Sequence, residues 1–316
     1  MYERDNSVEE LMGMKKHEEM IYDIIQDTLD VSKAEITDIV RTPGGETNIS
    51  YFVTVDGNQY VIRLPGIGTE ELIDRRAEKR NLQVGTKLGI NPAFVYFDEV
   101  TGIKITHAIE DAKPLLPSAA KQPYYVGKLI SMFQDLHTSD EVMYQRHCLS
   151  DMIHYYETLA LEENRVKMER ITPLRAEIHA LLHVYESFYF QEAPCHMDAV
   201  FINILKDRQE QLFLIDWEYS GMFDPLWDLA TLFMSLEMTE EEEAFFLTHY
   251  FNREAHQAEK QRLHLLKIFL DYYWGLWYFF KEAKGDDYGS KGTDRMVRAE
   301  ANIALYKQLF TEDVVV

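Results

Sequence analysis

Cysteine is nearly absent, with only Cys148 and Cys195 in 316 residues. They stand far apart and neither has a second cysteine beside it, so a disulfide framework and a cysteine-rich zinc site are both excluded. Basic residues are also scarce. Lys and Arg number 32 against 54 Asp and Glu, a formal net charge of −22, and such a field repels phosphate backbones and anionic lipid head groups. Nucleic acid and membrane surfaces are therefore not expected partners, and an anionic substrate needs a locally positive pocket. Long apolar runs are missing too. The N-terminal residues Met1-Tyr2-Glu3-Arg4-Asp5 form no apolar leader, and the most apolar stretch, 268–280, contains Asp271 and falls short of the roughly 20 residues that span a bilayer. Neither export nor a membrane span is expected, and a reducing cytoplasm fits best. What is present, 46% hydrophobic and 27% charged residues, is the composition of a globular protein long enough for two domains.

Apolar residues at Met20, Ile21, Ile24, Ile25 and Leu29 predict an amphipathic helix over 17–29. Residues 36–41, 49–55 and 59–64 read as strands, divided by Pro43-Gly44-Gly45 and by Asp56-Gly57-Asn58, the latter a strong hairpin signal. A charged helix is predicted over 70–88 and two further strands over 94–97 and 103–106. Beyond a linker near 107–117 the spacing turns helical, at 120–137, 150–162 and 173–190, with one β island at 202–206 and 212–215 around the polar turn 207–210. Helical patterns resume to the end around a loop at 284–292. The expectation is α+β: a small β-rich lobe over 1–110 and a larger, mostly helical lobe over 111–316.

Three segments could carry chemistry. Thr42 to Asn48 lies between two strands, where Gly44 and Gly45 would let backbone N–H groups approach phosphate; alone it reads first as a hairpin turn. Arg63 sits on the third strand, ahead of the helix that carries Glu78, and strand alternation does not decide whether it faces solvent or a phosphate. The third segment decides. Residues 195–203 read Cys-His-Met-Asp-Ala-Val-Phe-Ile-Asn, placing His196, Asp198 and Asn203 in the spacing H-x-D-x-x-x-x-N, and the strand that follows ends in Ile215-Asp216-Trp217-Glu218-Tyr219. Folding 203–206 against 212–215 brings Asn203 beside Asp216, about 5 Å apart. Carboxylates and an amide on one rim suit a hard cation, with Asp198 free to accept a proton from a hydroxyl.

These residues, with Val61-Ile62-Arg63-Leu64-Pro65-Gly66, Ile105-Thr106-His107-Ala108-Ile109-Glu110 and Trp274-Gly275-Leu276-Trp277, make the chain resemble the choline/ethanolamine kinases. That family lies within the wider aminoglycoside-phosphotransferase and protein-kinase-like fold, and the resemblance covers nearly the whole chain. It departs from the pattern inside the catalytic loop, where Met197 and the apolar run 199–202 replace more polar residues. The resemblance implies a two-lobed kinase using ATP and Mg²⁺ to phosphorylate choline, with ethanolamine, an aminoglycoside or another small alcohol as the alternative acceptor and a non-catalytic pseudokinase as the rival. Asp198 would deprotonate the substrate hydroxyl and His196 would support its loop. Asn203 and Asp216 would hold Mg²⁺, and Glu218 would assist the metal or the loop. Gly44, Gly45, Thr47 and Asn48 would cover the phosphates, Arg63 would contact them while paired with Glu78, and Thr106, Ile109 and Ile215 would meet the nucleotide. Trp274, Trp277 and Tyr278 share one helical face. By spacing alone they are core; given the kinase motifs they become the wall of a cation site, with Tyr288 a further side, since aromatic faces stabilise a quaternary ammonium that has no N–H to donate.

Overall fold

The computed structural model describes residues 6–42, 47–66 and 68–310, with side chains from His17 onward. The chain divides into two compact units: residues up to Arg75 together with Pro92–Glu110, and Arg76–Asn91 together with the residues from Asp111 on. Sequence order places 76–91 in the expected first lobe, but these residues pack with the second unit.

The first unit opens with α1 (Asn6–Leu29), which begins well ahead of the apolar spacing that predicts it. Strands β1 (Ile36–Arg41), β2 (Ile49–Val55) and β3 (Asn58–Leu64) follow, and after α2 (Arg75–Lys87) come β4 (Phe94–Phe97) and β5 (Lys104–His107). The strands form one antiparallel sheet in the order β1-β2-β3-β5-β4. The predicted hairpin is there: Val55 pairs with Asn58, and Asp56 and Gly57 both have positive φ, +46° and +77°, the requirement of a two-residue type I′ turn. Alternation sends Tyr51, Val53 and Val55 of β2 to the same face, where they bury against Ile21 and Ile25 of α1 with Ile62, Leu64 and Ile105. The helix predicted over 70–88 is shorter; a 3₁₀ turn at Thr69–Glu71 precedes it and α2 starts at Arg75.

Why α2 joins the second unit is visible in its contacts. Asn81 donates through Nδ2 to the carbonyl of Ser220 (2.8 Å) and accepts at Oδ1 from the Tyr144 N–H (2.7 Å). Gly85 lies so close to Trp217 that a Cβ there would stand 2.4 Å from the indole. Just past the helix, the Ile90 carbonyl accepts from the Leu214 N–H at 2.6 Å.

The second unit continues with β6 (Lys113–Pro114), α3 (Pro117–Ala120), α4 (Pro123–His137), α5 (Leu149–Glu163), α6 (Arg165–Arg170) and α7 (Thr172–Glu186). The helix expected over 120–137 is interrupted because Pro123 holds the preceding Gln122 extended; that expected over 173–190 stops at Glu186. Next come β7 (Ala193–Cys195), β8 (Ile204–Lys206), β9 (Leu212–Leu214), β10 (Gly221–Phe223), α8 (Leu226–Leu236), α9 (Glu240–Phe251), α10 (Gln257–Ala283) and α11 (Lys291–Phe310). The β island is shorter than expected, Phe201–Asn203 being a 3₁₀ turn, and β6 adds a third strand to it; β7 and β10 pair separately. From Leu263 onward α10 is buried almost all round, the mark of a helix at the centre of its unit. No helix among the described residues is long and apolar enough to cross a membrane.

Candidate active site

The loop between β7 and β8 carries His196, Asp198 and Asn203. Met197 between them has φ +70°, a left-handed conformation costly for a residue with a Cβ, and neighbouring groups hold it. The carboxylate of Asp228, in the first turn of α8, accepts the N–H of His196 at one oxygen and that of Met197 at the other, both 2.7 Å, while Trp227 Nε1 donates to the Met197 carbonyl (2.9 Å). His196 is fully buried, stands edge-on to Trp217 and donates through Nε2 to the Ile215 carbonyl (2.9 Å). Burial pushes its pKa down, so it is a neutral strut.

Asn203 Nδ2 donates both to the Asp198 carbonyl (3.0 Å) and to its Oδ2 (2.9 Å). The expected fold of 203–206 against 212–215 is the one found, and it leaves Asp216 one residue past the position opposite Asn203. The β8–β9 register runs Ile204 to Leu214, so Asn203 stands opposite Ile215 and its carbonyl accepts the Ile215 N–H at 2.9 Å. Asp216 comes one residue beyond, with φ +69°, and Glu218 is buried two residues on. Desolvation first, then the negative charges of Asp216 and Glu218, raise the Asp198 carboxyl from 3.8 to about 7, against the Asn203 hydrogen bond and the more distant charge of Arg295. An acid poised there can serve as a base near neutral pH.

The aromatic residues also come together. Tyr219 meets Trp274 edge-on at 5.3 Å and accepts at its hydroxyl from Trp277 Nε1 (3.2 Å). Trp274 and Trp277 are 5.9 Å apart, and Tyr288, from the loop before α11, lies 5.5 Å from Trp277 and 5.0 Å from Tyr278. Tyr219 is the member that spacing on α10 misses; its place one residue after Glu218 was the available sign. Asp228 was also missed, since a buried acid thirty residues from Asp198 has no local pattern. Tyr278 is buried, whereas Trp274 remains partly accessible.

Of the residues expected to bind nucleotide, Gly44 and Gly45 lie outside the described residues. In the first unit Asn48 is buried and Thr47 half-buried; a Cβ on Gly66 would stand 1.8 Å from the Thr47 carbonyl oxygen, so only glycine fits there. Arg63 is buried and donates through Nη2 to the Gly102 carbonyl at 3.0 Å. Thr106 lies in β5, paired with Val61 and Phe94, and Ile109 follows where the chain leaves the sheet. Glu78 is buried in α2, in the second unit.

A β-sheet unit and a helical unit, the latter carrying an acid, an amide and two more carboxylates on adjoining loops, define a phosphotransferase of the protein-kinase-like class. The chain belongs to the choline/ethanolamine kinase family, whose model, Choline/ethanolamine kinase, matches residues 39–297. Choline kinase LicA from Streptococcus pneumoniae has the same fold, with a TM-score of 0.81, 32% identity, and coverage of 92% of this chain and 100% of that one. A structure of LicA in complex with AMP matches at 0.79, also 32% identical, over 91% and 98% of the two chains. Protein LicA of Haemophilus influenzae is 28% identical over 80% of this chain and 76% of its own length. The protein is an ATP-dependent small-molecule kinase.

Proposed function

We propose that the chain transfers the γ-phosphoryl group of ATP to the hydroxyl of choline, giving phosphocholine and ADP. The observation that carries the choice of acceptor is the ring cluster of Tyr219, Trp274, Trp277 and Tyr288 in the same unit as Asp198. A quaternary ammonium offers no N–H, and ring faces stabilise it by about 2 kcal/mol per desolvated contact. A primary ammonium needs acceptor atoms instead. The choline kinase LicA of Streptococcus pneumoniae, as a relative, supports the same reading.

Asp198 takes the proton of the substrate hydroxyl, and the twofold hydrogen bond from Asn203 keeps its carboxylate oriented. His196 holds the loop without reacting. Asn203, having committed its Nδ2 to Asp198, keeps its amide oxygen as a neutral donor; with the carboxylate of Asp216 this is a hard oxygen set that fits Mg²⁺, and Glu218 assists it or the loop. The ion, when bound, neutralises charge on the ATP phosphates. In the first unit, Thr47, Asn48 and Arg63 contact phosphate and the 106–109 backbone meets adenine; in the second, Glu78 and Ile215 serve the nucleotide. Gly44 and Gly45 belong to the same phosphate cover. Phosphoryl transfer asks mainly for positioning and charge neutralisation, so these roles suffice.

The test is ADP release across choline, ethanolamine and its methylated intermediates, and aminoglycosides, in the wild type and in Trp274→Ala and Trp277→Ala. The choline-to-ethanolamine ratio of kcat/KM should fall in both variants. An unchanged ratio in folded protein removes the cage, and preferred turnover of ethanolamine or an aminoglycoside by the wild type replaces the acceptor.

A further inference from the structure

Behind the catalytic loop runs a chain of buried hydrogen bonds that the phosphoryl-transfer roles do not use. His137, the last residue of α4, meets Asp228 Oδ2 with Nε2 at 3.1 Å and the Tyr250 hydroxyl with Nδ1 at 2.8 Å. Tyr250 is the penultimate residue of α9, and its ring stands edge-on to the imidazole. The direction of every bond follows from valence. Asp228 already accepts the N–H groups of His196 and Met197, so it can only accept from His137 as well, and Nε2 must carry the hydrogen. With one hydrogen on the ring, Nδ1 is the acceptor and the phenol donates to it. Burial, reinforced by the neighbouring Cys195, Asp228 and Asp224, pushes the Tyr250 hydroxyl well above its ordinary pKa, so it keeps its proton. Cys195 lies within 4.8 Å of the same His137 and Asp228 atoms, but both carboxylate oxygens are already engaged, so these three residues do not form a free metal-binding set.

We infer that Tyr250 is a positioning residue for phosphoryl transfer: its hydroxyl fixes the His137 tautomer, His137 fixes the Asp228 carboxylate, and Asp228 holds the left-handed Met197 that presents Asp198. Two side chains, His137 and Asp228, and the Met197 backbone link the phenol to Asp198, and with one hydrogen on the ring each link has one donor and one acceptor. Removing the hydroxyl frees His137 to place its hydrogen on Nδ1, which turns Nε2 into an acceptor facing a carboxylate. Asp228 then loses one of the three bonds that orient it, and the strained loop loses part of its restraint. Substrate contacts are untouched, so the defect belongs in turnover and not in binding.

The inference rests on the kinase reading, and its test separates the two. In Tyr250→Phe we expect kcat to fall about five- to tenfold, roughly the loss of one buried hydrogen bond, with the KM for ATP and for the acceptor unchanged. Imidazole ¹⁵N shifts of substrate-free protein should report Nε2–H alone in the wild type and a tautomer mixture in Tyr250→Phe, with the His196 and Met197 amide resonances moving together. Gln134→Ala is the control for simple docking of α9, because Gln134 Nε2 binds the Tyr250 carbonyl (2.8 Å) and not the phenol; kcat there should remain at the wild-type value. In a His137→Gln background, whose amide reaches the Nε2 position and donates to Asp228 without help from the phenol, adding Tyr250→Phe should change nothing further. Unchanged His137 and loop resonances in Tyr250→Phe, an equal kcat loss in Gln134→Ala, or multiplicative effects in the double variant would each overturn the inference. The resonance measurements need no substrate, so a wild type that ignores choline would remove the acceptor assignment and leave this test standing.

Discussion

Replacing Asp198 by Asn should make the protein more stable as it makes it inactive, and the pH at which the stability appears can be worked out. The folded carboxyl titrates at about 7 instead of 3.8 because it is desolvated and faces Asp216 and Glu218. A raised acid is stabilising, relative to its ionised form, only while protonated: nothing is lost below the unfolded value, the penalty grows as pH rises from 3.8 toward 7, and it is constant above. At ~1.4 kcal/mol per pH unit, that gap is worth at most ~4 kcal/mol; because Asp198 keeps partial solvent access, ~2–4 kcal/mol is the fair range. Asn is isosteric, never ionises and still accepts the Asn203 N–H. Asp198→Asn should therefore melt roughly 3–6 °C above wild type at pH 8 without Mg²⁺, with the difference closing by pH 4. Turnover should drop 10²–10⁴-fold, the usual loss of a general base. Differential scanning fluorimetry across pH 4–9, paired with ADP release, makes the measurement. A difference in melting temperature that is flat with pH, or turnover near wild type in the folded variant, would refute the argument.

Asp216→Ala should weaken Mg²⁺-dependent ATP binding as well as turnover, since it removes an anionic oxygen donor; an unchanged apparent Mg²⁺ affinity in a titration would withdraw the metal role. Gly85→Ala should cost about 1–3 kcal/mol by forcing a methyl against the Trp217 indole, read as a lower urea midpoint, while Gly66→Ala, blocked by a backbone carbonyl, should cost more. Arg262→Ala strands the buried Asp224 carboxylate, which Arg262 Nε meets at 2.7 Å, and should lose about 3–5 kcal/mol in the same denaturation assay.

Most of what could be read from the sequence was local. The Asp56-Gly57 turn, the alternation of β2 and the His196–Asn203 spacing are each written within a dozen residues, and each is found in place. Short pairings between distant segments were not legible: β7 and β10 have three residues apiece, too few to show a period, and what defines them is each other. The β8–β9 register, by contrast, was legible, 203–206 folding against 212–215 as expected; only the place of Asp216, one residue past the partner of Asn203, was taken too close. The site's support was hidden as the pairing of β7 with β10 was. Nothing near Asp228 or Tyr219 in the chain announces that one braces Met197 and the other receives the Trp277 indole. Helix α2 was legible as a helix but not in its allegiance, which depends on Asn81 and Gly85 meeting residues more than a hundred positions away.

That allegiance makes the two units topologically inseparable. The polypeptide leaves the sheet unit after Arg75, contributes 76–91 to the helical unit, returns for β4 and β5, and leaves again at Glu110. A single cut at residue 110 therefore yields no pair of self-sufficient halves. The piece from 111 onward lacks the helix that seats Trp217 and caps the Ser220 carbonyl, while the piece ending at 110 carries that helix with no groove to fill. On the ribosome, β3 must wait for its neighbour β5 until α2 has been made, and α2 in turn waits for the far longer segment that follows. The first unit is thus synthesised first, yet the chain threading through it is secured only after residue 220 has emerged.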